Sequence, residues 1–197
     1  MRLGALAGQV LNADGSVMLD LLAEFGVVQQ THDMELDETT TKIRTKFVEA
    51  RRLAEAALGN LRPKSWLCIC AADFFDGVAD HPSAETFLAG WTAAAELRGD
   101  LRGGFDVAGI NVVEYAYGTD GTPWIPSGTA YLVPVGAKGL LIGRYAPADY
   151  VNTVNRVGLP YFSSSELLPH GKGYSIEAQS NPVFLATRPR AIIKLTA

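Results

Sequence analysis

The sequence predicts an α+β fold, and three observations carry that expectation. Apolar residues recur at three- and four-residue spacing over residues 39–58, marking a helix. The stretch after Gly103 and Gly104 reads mostly as strands, so helix and strand come in blocks and not in a regular βαβ winding. Apolar residues make up 48% of the 197 and charged residues 19%, which supplies a buried core and does not fit a disordered chain. The length suits one ordinary domain, or two small ones sharing a core.

The elements follow in order. Residues 8–25 read as a hairpin, with Gln9-Val10-Leu11 and Ser16-Val17-Met18-Leu19 flanking Asn12-Ala13-Asp14-Gly15. The Asp-Gly step supplies the positive φ of a tight turn. A calcium loop built on Asn12 and Asp14 lacks the later carboxylates it needs. Gly26 ends this element, and alternation resumes over 32–36. In the 39–58 helix, Ile43, Phe47, Ala50, Ala54 and Leu58 form the apolar face. Thr39 or Thr40 is the expected cap, Gly59-Asn60 the left-handed stop, and Glu38/Lys42 and Arg51/Glu55 the exposed i,i+4 pairs.

Pro63 breaks the chain before a buried strand over 65–70. Helices are expected over 72–79 and 82–98, the second opened by Pro82 and buried through Phe87, Trp91 and Ala94 or Ala95. Strands over 110–117, 129–135 and 140–145 follow, with Asp120-Gly121 turning between the first two. Ala146-Pro147-Ala148-Asp149-Tyr150 interrupts the β pattern, a short helix over 149–156 comes next, and Gly158-Leu159-Pro160 ends it. Tyr174, Ile176 and Ala178 alternate with Ser175, Glu177 and Gln179 as a strand with one wet face. Pro182 and Pro189 bracket residues 183–187, and a closing strand fills 191–196.

Charge and cysteine usage narrow the function classes. The net charge is −4, and no Lys/Arg block exceeds Arg51-Arg52, so the chain lacks the basic stripe of a nucleic-acid coat. Cys68 and Cys70 share one strand face without further ligands nearby and read as buried reduced thiols, in keeping with a reducing cytoplasm. The longest wholly apolar run, residues 66–72, is too short to cross a bilayer. The first seven residues lack a proper signal-peptide h-region, so the expectation is a soluble chain, not exported and not membrane-bound.

The motifs of catalysis are incomplete. His170-Gly171-Lys172-Gly173 lacks the first glycine and the Ser or Thr of a phosphate loop, and Arg102-Gly103-Gly104 lacks a dinucleotide context. No Gly-x-Ser-x-Gly elbow occurs, and His32, His81 and His170 are scattered. Asp73, Asp76, Asp80 and His81 are the densest polar cluster; a solvated helix face with Phe74, Phe75 and Val78 turned inward fits it better than a metal or acid/base pair. Tyr115, Tyr117, Trp124 and Tyr131 neighbour Glu114 and Asp120 and not basic residues, which favours packing over base stacking. No catalytic, cofactor-binding or metal-ligating residue is assigned, and no enzyme is expected.

Several segments nonetheless share their wording and order with one family. They are Gly8-Gln9-Val10-Leu11-Asn12-Ala13-Asp14-Gly15-Ser16, Glu24-Phe25-Gly26-Val27, and Asp73-Phe74-Phe75-Asp76 before His81-Pro82. Trp91-x-x-Ala94-Ala95-Glu96-Leu97-Arg98, Pro134-Val135-Gly136 and Tyr145-Ala146-Pro147-Ala148-Asp149-Tyr150 continue the series. Gly171-Lys172-Gly173, Gln179-Ser180-Asn181-Pro182 and Arg188-Pro189-Arg190 close it. Taken colinearly, they make the chain resemble the major capsid protein E family of tailed phages, the lambda-type head proteins.

The resemblance implies the tailed-phage major-capsid fold. It makes residues 1–36 a partial peripheral domain, 37–181 an axial domain around the capsomer centre, and 182–197 closing strands that return to the peripheral domain. It also implies that an N-terminal arm, an extended loop and most of a spine helix precede the position matching Met1 in family members. On that basis the chain is expected to fold yet not to build regular shells alone. The implied function is a major capsid (head) subunit that self-assembles into an icosahedral shell enclosing phage DNA, located in the virion and assembled in the bacterial host cytoplasm. Expected partners are copies of itself, with scaffold, decoration and portal proteins by analogy, and packaged DNA as non-specific contents. Pro147, Asp149, Tyr150, Asn152 and Asn155 are the expected self-assembly contact at the capsomer centre. The alternatives are a truncated capsid remnant that binds full-length subunits and redirects assembly, and a small enzyme built on the Asp73/Asp76/Asp80/His81 cluster.

Overall fold

A computed structural model describes residues 3–12, 14–84, 103–115 and 123–197. The N-terminal hairpin forms as the Asp-Gly turn predicts: β1 (Gln9–Leu11) pairs antiparallel with β2 (Val17–Asp20). At its turn the Asp14 carboxylate accepts from the Ser16 N–H at 2.9 Å and the Ser16 hydroxyl at 2.6 Å, which holds its pKa below the usual carboxylate value. A one-turn helix that the sequence pattern did not announce follows, α1 (Leu21–Glu24). Asp20 caps it by accepting from the Leu22 and Ala23 N–H groups.

The body is a six-stranded mixed sheet. It takes β3 (Thr31–Asp33), β4 (Ser65–Cys70), β5 (Phe105–Val107), β6 (Ile110–Glu114) and β7 (Thr129–Val135), and ends with β12 (Ile193–Thr196). The spatial order is β3-β12-β7-β4-β6-β5; β3 runs parallel to β12 and β4 to β6, and the other neighbours are antiparallel. Pro134 lies beyond the stretch of β7 that β12 covers, where a missing N–H is tolerated. Elements of residues 1–36, 37–181 and 182–197 therefore share hydrogen bonds within one sheet.

Alternation along the strands divides the core in two. Trp66, Cys68 and Cys70 of β4 with Ala130 and Leu132 of β7 face α2 (Ile43–Leu58) and α3 (Ala72–Ala79). Ile43, Phe47, Ala50, Ala54 and Leu58, the face read from the sequence, are fully buried there, and each large side chain so buried contributes about 1.5–3 kcal/mol. Phe75 and Phe105 meet edge to face with centroids 5.1 Å apart. On the other face Tyr131 and Val133 pack with Leu6, Ile125, Ala186 and Ile192. Cys68 and Cys70 are free and buried; the Cys70 contact and burial push the Cys68 thiol well above its usual pKa, which keeps it unreactive.

Distant residues close both ends of α2. The expected caps Thr39 and Thr40 and the Glu38/Lys42 pair do not form, because the helix begins only at Ile43 and Lys42 makes no side-chain cap bond. Instead the Ser83 hydroxyl accepts from the Ile43 N–H at 3.2 Å. Buried His81 fixes Ser83 by accepting its N–H at Nδ1 (3.1 Å), while Nε2 lies 3.1 Å from the Glu38 carbonyl and donates to it. At the other end Gly59 takes φ +60° as expected, and Arg188 donates to the Leu58 carbonyl. The Arg51–Glu55 pair forms at 2.9 Å, and the Arg51 guanidinium lies 5.4 Å from the Trp66 ring centroid.

From the body a β-ribbon extends in two stages. β8 (Leu141–Ala146) pairs antiparallel with β11 (Asn181–Ala186), and β9 (Phe162–Leu167) with β10 (Tyr174–Gln179). Three expectations need correction here. The helix expected over 149–156 is a single 3-10 turn, Val151–Thr153: Val154 leaves helical geometry at ψ 132° and Asn155 follows with φ +59°. Pro182 sits inside β11 opposite Tyr145, a position open to proline in a two-stranded ribbon with free edges. β10 is wet on both faces, and among the described residues β9 is its one sheet partner. Residues 82–84 begin the helix expected over 82–98; the rest of it, Tyr117 and the Asp120-Gly121 turn lie outside the described residues.

Candidate functional site

The five residues singled out as an assembly contact sit together, at the elbow between the two ribbon stages. Pro147, Asp149, Asn152 and Asn155 are exposed and Tyr150 is half-buried. The elbow has its own scaffold. Thr153, buried beneath it, donates through Oγ1 to the carbonyls of Ala148 and Tyr150, and the Asp149 N–H donates to the Gln179 side chain at 3.2 Å. The Asn181 amide donates to the Pro147 carbonyl at 3.0 Å, and the Ser180 hydroxyl to that of Pro160 at 2.7 Å. Gly158 is required: a Cβ there would stand 1.8 Å from the Tyr145 carbonyl oxygen of β8. Tyr150 is held above the usual tyrosine pKa by desolvation and by Glu177 and Asp149, and its buried hydroxyl has no hydrogen-bond partner among the described residues. Asn155 serves the backbone, since Asn tolerates positive φ better than most residues.

Sequence reasoning missed the apolar residues around these polar ones. Val151, Val154, Val157, Leu159 and Tyr161 are all exposed, Val151 at 93%. Their signal was present as three valines spaced by three in a segment of Pro, Asn and Gly that cannot form a core helix. Exposed apolar residues gathered this densely mark an interaction surface. An apolar hollow of about 200 Å³ lies at the ribbon's base between Ala5, Leu6, Ile142, Phe184 and Leu185.

The acidic cluster does not converge on a site. Asp73 turns toward the start of β7, accepting from the Ser127 hydroxyl and from the Gly128 N–H at 2.6 Å. Burial works to raise its pKa, but these hydrogen bonds outweigh it and the net shift is downward. Asp80 ends α3, and His81 turns toward α2. A shallow groove of about 270 Å³ beside Asp73, Asp76, Tyr115 and Ile125 is lined, among the described residues, by no histidine or cysteine. Among the described residues no group of three or more His, Cys, Asp or Glu is placed to hold a metal ion, and no helix is long and apolar enough to cross a membrane.

Comparison with known proteins agrees with a surface-based role. The model of the phage major capsid protein E family matches residues 1–197, and the chain belongs to that family. Its structure is similar to the crystal structure of a protein assigned to the capsid of a prophage of E. coli CFT073, with a TM-score of 0.53 and 12% identity. The match covers 81% of this chain and 48% of that one, so the chain spans about half the length of the protein it matches. More distant likenesses are a virus-like particle from Pyrococcus furiosus (TM-score 0.39, 9% identity, 88% of this chain and 59% of that one) and the satellite phage P4 procapsid including the size determination protein Sid (0.35, 10%, 96% and 45%). No curated protein matches the chain significantly. The fold is the tailed-phage major-capsid fold, and the family is one of phage major capsid proteins.

Proposed function

We propose that the chain acts as a repeated building unit of a phage head, through contacts between copies and not through a reaction. What supports this reading most is a projecting ribbon whose elbow exposes apolar residues, on a chain that belongs over its whole length to a capsid family. Each contact can be weak, because many of them summed around a closed ring hold it together. The elbow residues Pro147, Asp149, Tyr150, Asn152 and Asn155 are the contact we assign to neighbouring copies. The peripheral (1–36), axial (37–181) and returning (182–197) segments fit a seam inside one sheet, and the parallel β3–β12 pair joins the first segment to the last.

The net charge of −4 suits a wall that confines DNA without gripping its phosphates, so packaged DNA is non-specific content. Assembly in the bacterial host cytoplasm fits the free, buried cysteines. Scaffold, decoration and portal proteins are partners of the assembled shell, and no enzymatic step is required. Electron microscopy of the concentrated chain tests the reading. Repeated, rotationally related assemblies are expected, and single particles at every concentration would contradict it.

A further inference from the structure

Acidic and basic residues are segregated along the chain. Residues 56–72, 121–148 and 178–197 hold seven of the 17 Lys and Arg residues and none of the 21 Asp and Glu residues. The sheet gathers parts of these stretches at one end of the body. The Lys64 N–H donates to the Val135 carbonyl and the Thr187 N–H to that of Leu140, each at 2.8 Å, while Arg188 donates to that of Leu58. The loops 59–64, 136–140 and 187–190 therefore meet, and they carry Arg62, Lys64, Lys138, Arg188 and Arg190, all exposed. Among the described residues no ion pair involves any of the five. In Arg62-Pro63-Lys64 and Arg188-Pro189-Arg190 a proline restrains the backbone between two cations. Strands β3, β4, β6 and β12 all run away from this end, toward Asp33, Asp73 and Glu114 at the other.

The apolar hollow at the ribbon's base adjoins the cationic end. Leu141 and Leu185, which line it, stand three residues from Lys138 and Arg188, at most about 10 Å along the chain. The hollow itself is uncharged and open, and Leu141 is 49% exposed.

We propose that this end of the body docks an extended acidic segment of a partner other than a second copy. Its carboxylates meet the five cations while one large apolar side chain, a few residues away, enters the hollow. The inference goes beyond the building-unit reading by adding a partner of different chemistry. Charge complementarity names the occupant, and the guanidinium forks of Arg62 and Arg190 match carboxylates in bidentate geometry. The three loops hold no aromatic residue on which bases could stack. A nucleic-acid duplex reaches well past the cluster and meets the net charge of −4, whereas a short segment senses the cluster alone. The chain's own densest acidic stretch, residues 33–38, is committed to the fold: Met34 is buried and Leu36 packs against the core, so a second copy cannot offer it.

Titration with the synthetic peptide Glu-Glu-Glu-Phe-Glu-Glu-Glu tests the proposal, at about 0.15 M salt. Replacing its phenylalanine by serine is expected to weaken binding about ten-fold. Lys64→Glu and Arg190→Glu in the protein are each expected to weaken it about five-fold, and Lys172→Glu at the ribbon tip by less than about two-fold. Hydrogen exchange is expected to slow over 138–143 and 184–190 when the peptide binds, and not over 162–179. No binding, or equal loss with Lys172→Glu, would overturn the proposal, and equal affinity for the serine peptide would remove the hollow from it. Tighter binding of a 20-base-pair DNA duplex (about two helical turns) would make the cluster a phosphate site and overturn it. Loss of self-association in the Lys64→Glu, Arg190→Glu double variant would make it a contact between copies, with the same consequence. The titrations run at dilutions where copies stay apart, so their failure leaves the building-unit reading standing.

Discussion

His81 and Ser83 show how one buried polar pair organises the start of a helix. His81 donates to the Glu38 carbonyl and accepts from the Ser83 N–H, so Ser83 Oγ stands where the Ile43 N–H needs an acceptor. His81→Ala leaves a cavity and an unpaired carbonyl, and chemical denaturation is expected to show a loss of about 2–3 kcal/mol. A loss under 0.5 kcal/mol would mean the network contributes little. His32 sets a pH dependence. Its pKa is lowered, first by burial and then by Lys46, against the opposing pull of Glu49, Asp33 and Glu35. The unfolded chain thus takes a proton more readily than the folded one, so this stability is full above the ordinary value of 6.5 and falls as pH drops below it. His32→Gln should lose less stability than the parent between pH 7.5 and 5.5 in denaturant titrations. Equal losses would remove His32 as the cause.

At the scale of elements, legibility followed the range of the forces. The α2 face, the 65–70 and 129–135 strands and the helix Ala72–Ala79 stood in the sequence because their periodicity reports burial directly. The start of α2 did not, since its acceptor lies 40 residues away in sequence and no local pattern encodes it. Tyr174–Gln179 alternates as if half-buried, yet among the described residues nothing covers its apolar side, while its partner Phe162–Leu167, with three serines in a row, carries no alternating pattern to read. The five elbow residues were legible as a break in the β pattern; the valines around them were passed over because exposed apolar groups look like core in a sequence. Gly158 carries a prediction at this scale. Its Cβ would meet the β8 backbone, so Gly158→Ala is expected to displace the elbow and lower the melting temperature, whereas Gly26→Ala, with open space at that site, is expected to cost less despite its φ of +60°. Equal melting temperatures for the parent and Gly158→Ala would show that the approach relaxes freely.

For the whole molecule, body and ribbon divide the work. The six-stranded sheet buries large side chains on both faces and stands as a rigid platform, while the ribbon beyond it holds few buried groups and many wet ones. Local stability in proteins follows such differences, so the ribbon is the part most changed when neighbours cover it. Family and fold are those of phage capsid proteins, and the ribbon's exposed apolar residues are where the proposed contact between copies would be felt. Hydrogen exchange measured across a concentration series tests that claim most directly. Amides of β9 and β10 are expected to gain protection as particle mass rises, while β4 and β7 stay unchanged. Unaltered ribbon exchange at concentrations where large particles have formed would contradict it.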